Sequence, residues 1–171
     1  MKYNDLVITD YATMEELINE ASNEFTIYGT LDQYANKFKC IHLLESGFKC
    51  GLVYSYSGLK PEVIKINGSK ILIGFDKALL LIDQLKKILL EERKLSSLFY
   101  EFINVGRNNL IVVICELDLV VLDFDGEILW SIGFKDIIED FYVENSEFLN
   151  ITCSDGQDYK FDINNGQYAN N

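Results

Sequence analysis

Two hydrophobic rhythms divide the chain. Met14, Leu17, Ile18 and Ala21 follow the i, i+3, i+4, i+7 spacing of a helix with one apolar face. Thr13 stands three residues before Glu16, the spacing of a capping box, so the helix is predicted to begin there. After Asn23 the pattern changes to short apolar stretches rich in Ile, Val, Tyr and Phe, cut by Gly, Asn, Asp and Ser. That is the rhythm of strands and tight turns, and it predicts mainly β structure for the rest.

The strand-like stretches recur. Glu62-Val-Ile-Lys-Ile-Asn67, Ile71-Leu-Ile-Gly-Phe75, Leu79-Leu-Leu-Ile-Asp83 and Lys87-Ile-Leu-Leu90 form one copy. The second is Glu101-Phe-Ile-Asn-Val105, Leu110-Ile-Val-Val-Ile114, Leu119-Val-Val-Leu-Asp123 and Glu127-Ile-Leu-Trp130. The third is Asp140-Phe-Tyr-Val-Glu144, Leu149-Asn-Ile-Thr-Cys153 and Asp158-Tyr-Lys-Phe-Asp162, ending soon after Asn165-Gly166-Gln167. Starts at 62, 101 and 140 lie 39 residues apart, and Asp83, Asp123 and Asp162 are spaced by 40 and 39. The connectors agree too, with Leu95, Leu98 and Phe99 set against Phe134, Ile137 and Ile138. A weaker copy is read before these, with Phe25-Thr-Ile-Tyr28 as first strand and Gly47-Phe-Lys-Cys50 in the place of Gly126-Glu-Ile-Leu129.

The repeat resolves an ambiguity. Lys77 to Lys94 alone, with Leu79, Ile82, Leu85, Ile88 and Leu89 among charges, has the spacing of an amphipathic helix. Its repeat partner, Leu117 to Trp130, is rich in Val and carries an Asp-Gly turn, so both segments are predicted as two strands, the first pair joined near Asp83 to Lys86. A unit of up to four antiparallel strands every 39 residues or so is the signature of a propeller blade. The stretch Leu119-Val-Val-Leu-Asp-Phe-Asp-Gly-Glu-Ile-Leu-Trp130 resembles the blade motif of PQQ-type β-propellers, in which a strand ends in Asp, a turn in Gly and the next strand in Trp. Here the turn is one residue shorter, Leu122 replaces the small residue before Asp123, no Thr precedes Gly126, and Leu90 stands where Trp130 does. Three or four units are too few for the ring that cradles the quinone. The resemblance, over residues 62–168, therefore implies blade-like sheets and no cofactor.

The expected architecture is a single mainly β domain over 1–171. It comprises an N-terminal strand and α-helix in 1–23, the weak copy in 24–61, and antiparallel propeller-blade-like repeats at 62–100, 101–139 and 140–168. A hydrophobic fraction of 49% suffices for a filled core at this length. The longest apolar runs, Ala78–Ile82 and Leu110–Cys115, fall far short of the roughly 20 residues that span a bilayer. Met1-Lys2-Tyr3-Asn4-Asp5 is not the start of a secretion signal, so a soluble cytoplasmic protein is expected.

Candidate chemistry is sparse. Cys40, Cys50, Cys115 and Cys153 contain no C-x-x-C, and His42 is the single histidine, so no zinc site is expected. Cys40 and Cys50 flank a hairpin and could meet, although a reducing compartment keeps such thiols open. Asp123 with Asp125, and Asp155 with Asp158, are paired carboxylates that fit no EF-hand loop; Asp-Gly at 125–126 and 155–156 reads as turns. Ser46-Gly-Phe-Lys49 and Ser57-Gly-Leu-Lys60 match S-x-x-K but sit in turns. No Gly-rich phosphate loop occurs.

Charge is more informative. The chain holds 27 acidic and 15 basic residues, a net −12. Residues 1–107 carry 14 acidic and 13 basic side chains, whereas residues 108–171 carry 13 acidic and only Lys135 and Lys160, a balance of −11. Such a field repels nucleic acid and suits a basic protein partner. Asp136, Glu139, Asp140, Glu144 and Glu147, within twelve positions, are the expected contact residues. The reading is a non-catalytic, protein-binding, immunity-type inhibitor with no cofactor or metal and no membrane contact. A second reading is a small-ligand binder or enzyme with a pocket where the repeats converge, using Asp123, Asp125 or His42. A third is a subunit that pairs with its own copy through a sheet edge.

Overall fold

The computed structural model describes residues 5–22, 24–30, 33–55 and 59–169. Ser57 and Gly58 of the second S-x-x-K match, and Met1 to Asn4, lie outside the described residues. Two compact units divide the chain between Arg93 and Lys94. No helix of the described residues is long and apolar enough to cross a membrane.

The first unit contains β1 (Leu6–Tyr11), α1 (Met14–Ala21), β2 (Ile27–Gly29), β3 (Lys37–Leu43), β4 (Phe48–Tyr54), β5 (Glu62–Lys65), β6 (Lys70–Phe75), β7 (Ala78–Asp83) and all but the last residue of β8 (Ile88–Lys94). Helix α1 starts at the expected cap: Thr13 is extended, and its hydroxyl accepts from the Glu16 amide at 3.2 Å. Glu16 closes the other half of the box one residue early, accepting from Ala12 N at 2.8 Å. Ser22, left-handed at φ 39°, ends the helix. Leu17 is fully buried against Cys40 and Val53, while Ile18, expected on the same face, is half exposed. A helix of eight residues touches its sheet along one narrow line, here Leu17 and Ala21.

One sheet runs β5-β6-β7-β8, each strand beside its sequence neighbour. Lys77 to Lys94 is therefore two strands, as the repeat predicts. The other runs β1-β3-β4-β2, and there the weak copy departs from the later pattern. Phe25 to Tyr28 does not open an antiparallel meander, because β2 joins β4 in parallel. Gly47 to Cys50 leads into an interior strand rather than an outer one. Close approach demands glycine: a Cβ on Gly29 (φ 108°) would lie 2.0 Å from the Val53 carbonyl oxygen.

The β3–β4 hairpin is real, but it separates the two cysteines. Register sets Ile41 against Cys50 and Cys40 against Gly51. Because strand side chains alternate, the thiols point to opposite faces. Cys40 packs beneath α1, whereas Cys50 joins Ile41, Leu43, Phe48 and Leu52 in the main core. All four cysteines are free and buried, and burial pushes the Cys50 and Cys115 thiols far up.

The second unit contains β9 (Phe99–Val105), β10 (Leu110–Cys115), β11 (Asp118–Asp123), β12 (Ile128–Gly133), β13 (Ile138–Glu144), β14 (Phe148–Cys153) and β15 (Asp158–Asp162). β9 to β12 form a four-stranded sheet in sequence order, and β13 to β15 a three-stranded one. The fold is mainly β with blade-like antiparallel sheets and one short helix, as expected. The first strands of the later copies begin two residues before 101 and 140, at Phe99 and Ile138, the pair that the connectors align. Val112, Ile114, Leu119, Val121, Leu149, Ile151 and Phe161 interleave in one core.

Asp83, Asp123 and Asp162 are equivalent. Each is the last residue of its strand and lies opposite the first residue of the central strand: Lys70, Leu110 and Phe148. Each then turns the chain with its own carboxylate. Asp83 Oδ1 accepts from Leu85 N and Lys86 N at 3.2 and 3.1 Å. Asp123 Oδ1 accepts from Asp125 N and Glu127 N at 2.8 and 2.9 Å, and Asp162 Oδ1 from Asn164 N at 2.8 Å. Trp130 works with the third turn. Its Nε1 donates to the Ile163 carbonyl at 2.9 Å, and its indole occupies the space above Gly166 (φ 71°), where a Cβ would lie 2.7 Å from the ring.

The helix contact and the first aspartate turn can each be tested by stability. Leu17→Asp places a charge in an apolar site without a partner and should cost at least about 3 kcal/mol, read as a lowered melting temperature; an unchanged one would make α1 a loose appendage. The second test uses acid. Asp83 is held below the usual carboxylate range, first by the Lys86 amide and then by Ser69 and the Lys86 side chain, against burial. A depressed folded-state pKa contributes stability at neutral pH that is lost as pH falls through it. The melting-temperature advantage of the native chain over Asp83→Asn should be present at pH 7 and shrink below about pH 4. A gap independent of pH would contradict the assignment.

Candidate acidic face

The β13–β15 sheet has one apolar face and one polar face because its strands alternate. Ile138, Leu149, Ile151, Cys153 and Phe161 turn to the core. The opposite face reads in register: Asp140, Thr152 and Asp158 form one row, and Tyr142, Asn150 and Lys160 the next. Tyr142, Asn150, Thr152, Asp158 and Lys160 line a groove of about 360 Å³, with Glu144 and Tyr168 at its sides. Tyr142 and Tyr168 are each 57% exposed and present rings to solvent. Tyr168 is placed by a short return of the chain along β15, in which Asp162 N donates to Gln167 O at 2.9 Å and Ala169 N to Lys160 O at 2.8 Å.

The five expected carboxylates divide into two kinds. Asp136 is committed to the fold: its Oδ1 accepts from Ile137 N at 2.9 Å and from the Ser154 hydroxyl. The Ser154 bond, then the Ile137 amide, hold its carboxyl below the ordinary range. Glu144 is paired with Lys160 Nζ at 2.6 Å, and that bond is the main cause of its own lowered pKa. Asn150 lies near enough to assist, although its enclosed Nδ2 reaches no acceptor at hydrogen-bonding geometry. The same ammonium stands 4.6 Å from the Phe148 ring centroid. Glu139, Asp140 and Glu147 are exposed. Glu139 falls at a bulge, where the register skips between Ile138 and Asp140. Asp140 Oδ1 accepts from Phe141 N at 2.8 Å, and Glu147 stands on the turn after β13.

The residues considered for catalysis lie apart from this groove's row of side chains or in turns. Asp123 closes a turn, and the Asp155 carboxylate accepts from Gln157 N at 3.0 Å. His42 lies in β3 opposite Val7 and Lys49, in the first unit, whereas Asp123 and Asp125 belong to the second. Ser46 accepts from Phe48 N at 3.3 Å, a turn contact. Among the described residues no three His, Cys, Asp or Glu side chains group as metal ligands. Sequence reasoning missed Tyr142, Asn150, Thr152, Lys160 and Tyr168. All but Tyr168 sit at alternate positions opposite the core residues of the third repeat, a signal available from the strand period alone.

No protein-family model and no curated protein matches the sequence. Solved structures do match in fold. The crystal structure of Sqt1 from Saccharomyces cerevisiae is similar at TM-score 0.51 with 13% identity, covering 78% of this chain and 42% of that one. Dihydro-heme d1 dehydrogenase NirN, solved in complex with DHE, is similar at TM-score 0.54 with 14% identity, covering 78% of this chain and 32% of that one. The chain thus spans less than half the length of either. Identities this low speak to fold alone, and the fold they share with this chain is of propeller type.

Proposed function

We propose that the chain is a non-catalytic binding module whose acidic C-terminal third docks a basic protein. One observation carries the reading: β13 to β15 hold Glu139, Asp140, Glu144, Asp158 and Asp162 against the single base Lys160, which is already matched by Glu144. The negative field over this sheet is therefore not cancelled locally. Exposed tyrosines beside it supply large contact area at low entropic cost, which suits a protein interface. Propeller-type folds commonly serve as protein-binding scaffolds, in keeping with this use. The specific form is an immunity-type inhibitor in the cytoplasm that covers the basic face of a toxin domain. The balance of −11 over residues 108–171 supports that form.

The test is kinetic. Glu139→Gln with Asp140→Asn, in the full chain, should slow association with the partner recovered from the native cell about tenfold at low salt, with little change in dissociation. Salt should reproduce the effect in the native chain, because exposed charges are screened over roughly 8 Å at physiological ionic strength. An acidic partner, or an association rate that ignores both salt and the substitutions, overturns the reading.

A further inference from the structure

The groove on the β13–β15 sheet is small. At about 360 Å³ it lies near the lower end of ligand pockets, which run from roughly 300 to 1,000 Å³, and it suits one side chain of a larger partner. What it can hold depends on which of its polar groups are still open to a newcomer.

Its donors are largely spent. Lys160 Nζ donates to Glu144 at 2.6 Å and stands 4.6 Å from the Phe148 ring centroid. That turns the ammonium away from the row of Asp140, Thr152 and Asp158. The Thr152 hydroxyl gives its one proton to Asp158 Oδ1 at 2.7 Å, and Asn150 Nδ2 is enclosed beyond the reach of anything in the groove. Acceptors remain. Among the described residues no donor meets the second oxygen of Asp158, nor that of Asp140, whose Oδ1 takes the Phe141 amide. Thr152 keeps its lone pairs, and the exposed ring of Tyr142 stands in the adjoining row.

A row of open oxygens beside a bare aromatic face selects its occupant. A neutral polyol brings as many acceptors as donors, and its acceptors would find few partners here. An ammonium brings a point charge and no flat surface. A guanidinium has five donors, no acceptor and a plane that stacks on aromatic rings. Its charge also fits, since Asp140, Glu144 and Asp158 against Lys160 leave a balance of −2, from three carboxylates and one ammonium. We infer that the groove takes an arginine side chain of the basic partner, its guanidinium donating to Asp158 and Asp140 across Thr152 and its flat face lying on the Tyr142 ring. This anchor rests on the acidic-face reading and names the side chain that the face receives.

The test uses the isotope-labelled full-length chain and N-acetyl-arginine amide, which offers the side chain without terminal charges. Amide resonances around Thr152 and Asp158 should shift saturably. N-acetyl-lysine amide should bind at least about threefold more weakly, and the citrulline analogue, which lacks the charge, should give no saturable shift. Tyr142→Ala should weaken the arginine probe about threefold and remove most of its preference over lysine, whereas Tyr142→Phe keeps the ring and should restore both. Asp158→Asn should weaken both cationic probes. Tyr142 and Asp158 are exposed, and thermal melting establishes that each variant is folded. Equal binding of arginine and lysine, shifts spread evenly over the acidic residues of the chain, or a native response from Tyr142→Ala each overturns the inference. Failure of the anchor is separable from failure of the docking face. With the recovered partner, Tyr142→Ala should leave association unchanged and speed dissociation about tenfold, the reverse of the effect of Glu139→Gln with Asp140→Asn. Association that responds to salt while Tyr142→Ala leaves dissociation unchanged removes the anchor and keeps the docking face.

Discussion

The structure depends on an aspartate that ends the third strand of a unit and folds its carboxylate back over the turn it begins. In a strand the backbone groups are taken by neighbours, but the first amides of a tight turn have no partner of their own. Asp83, Asp123 and Asp162 supply one. An oxygen accepting two amides, as at Asp83 and Asp123, or one, as at Asp162, fixes where the strand stops and how the chain departs, and so sets the register of the next segment. In two units that segment is an outer strand, β8 or β12. In the last it is a short return that brings Tyr168 beside Phe161.

The later three sheets were legible because the repeat and the local pattern agree. The 40- and 39-residue spacing of the aspartates is a statement about strand ends, and it corrected a helical spacing in residues 77–94 that a single window would have accepted. The first sheet was not legible in the same way. β2 enters parallel, and it lies where Gly29 passes close over the Val53 carbonyl, which accepts from Thr30 N at 3.1 Å, a contact between distant residues that leaves no periodic trace. Ile18 obeys helical spacing yet lies half exposed, since periodicity gives a face and not the width of the surface that covers it. Cys40 and Cys50 flank a true hairpin, but only the register, which sets Cys50 against Ile41, separates them.

The acidic region was visible as a count before it was visible as a surface. The sum could not distinguish Asp136 and Glu144, which bond to Ser154 and Lys160, from Glu139, Asp140 and Glu147, which face solvent. Alternation could have gone further, because it places Tyr142, Asn150, Thr152 and Lys160 on the face opposite the core. The indole of Trp130 shows the reverse case. A motif that departs from its family at Leu122 and in turn length still places its tryptophan on a glycine, because Gly166 alone leaves space for the ring.

The role of the turn aspartate is open to one direct measurement, native-state amide exchange on Asp123→Ala and Asp123→Asn. Alanine removes the acceptor, whereas asparagine keeps an oxygen at the same position. The amides of Asp125 and Glu127 should exchange faster in the alanine variant, with loosening along β11 and β12, and remain near native protection in the asparagine variant. Equal protection in the native chain and the alanine variant would contradict the account, and would assign the turn to the backbone bond from Gly126 N to Asp123 O instead.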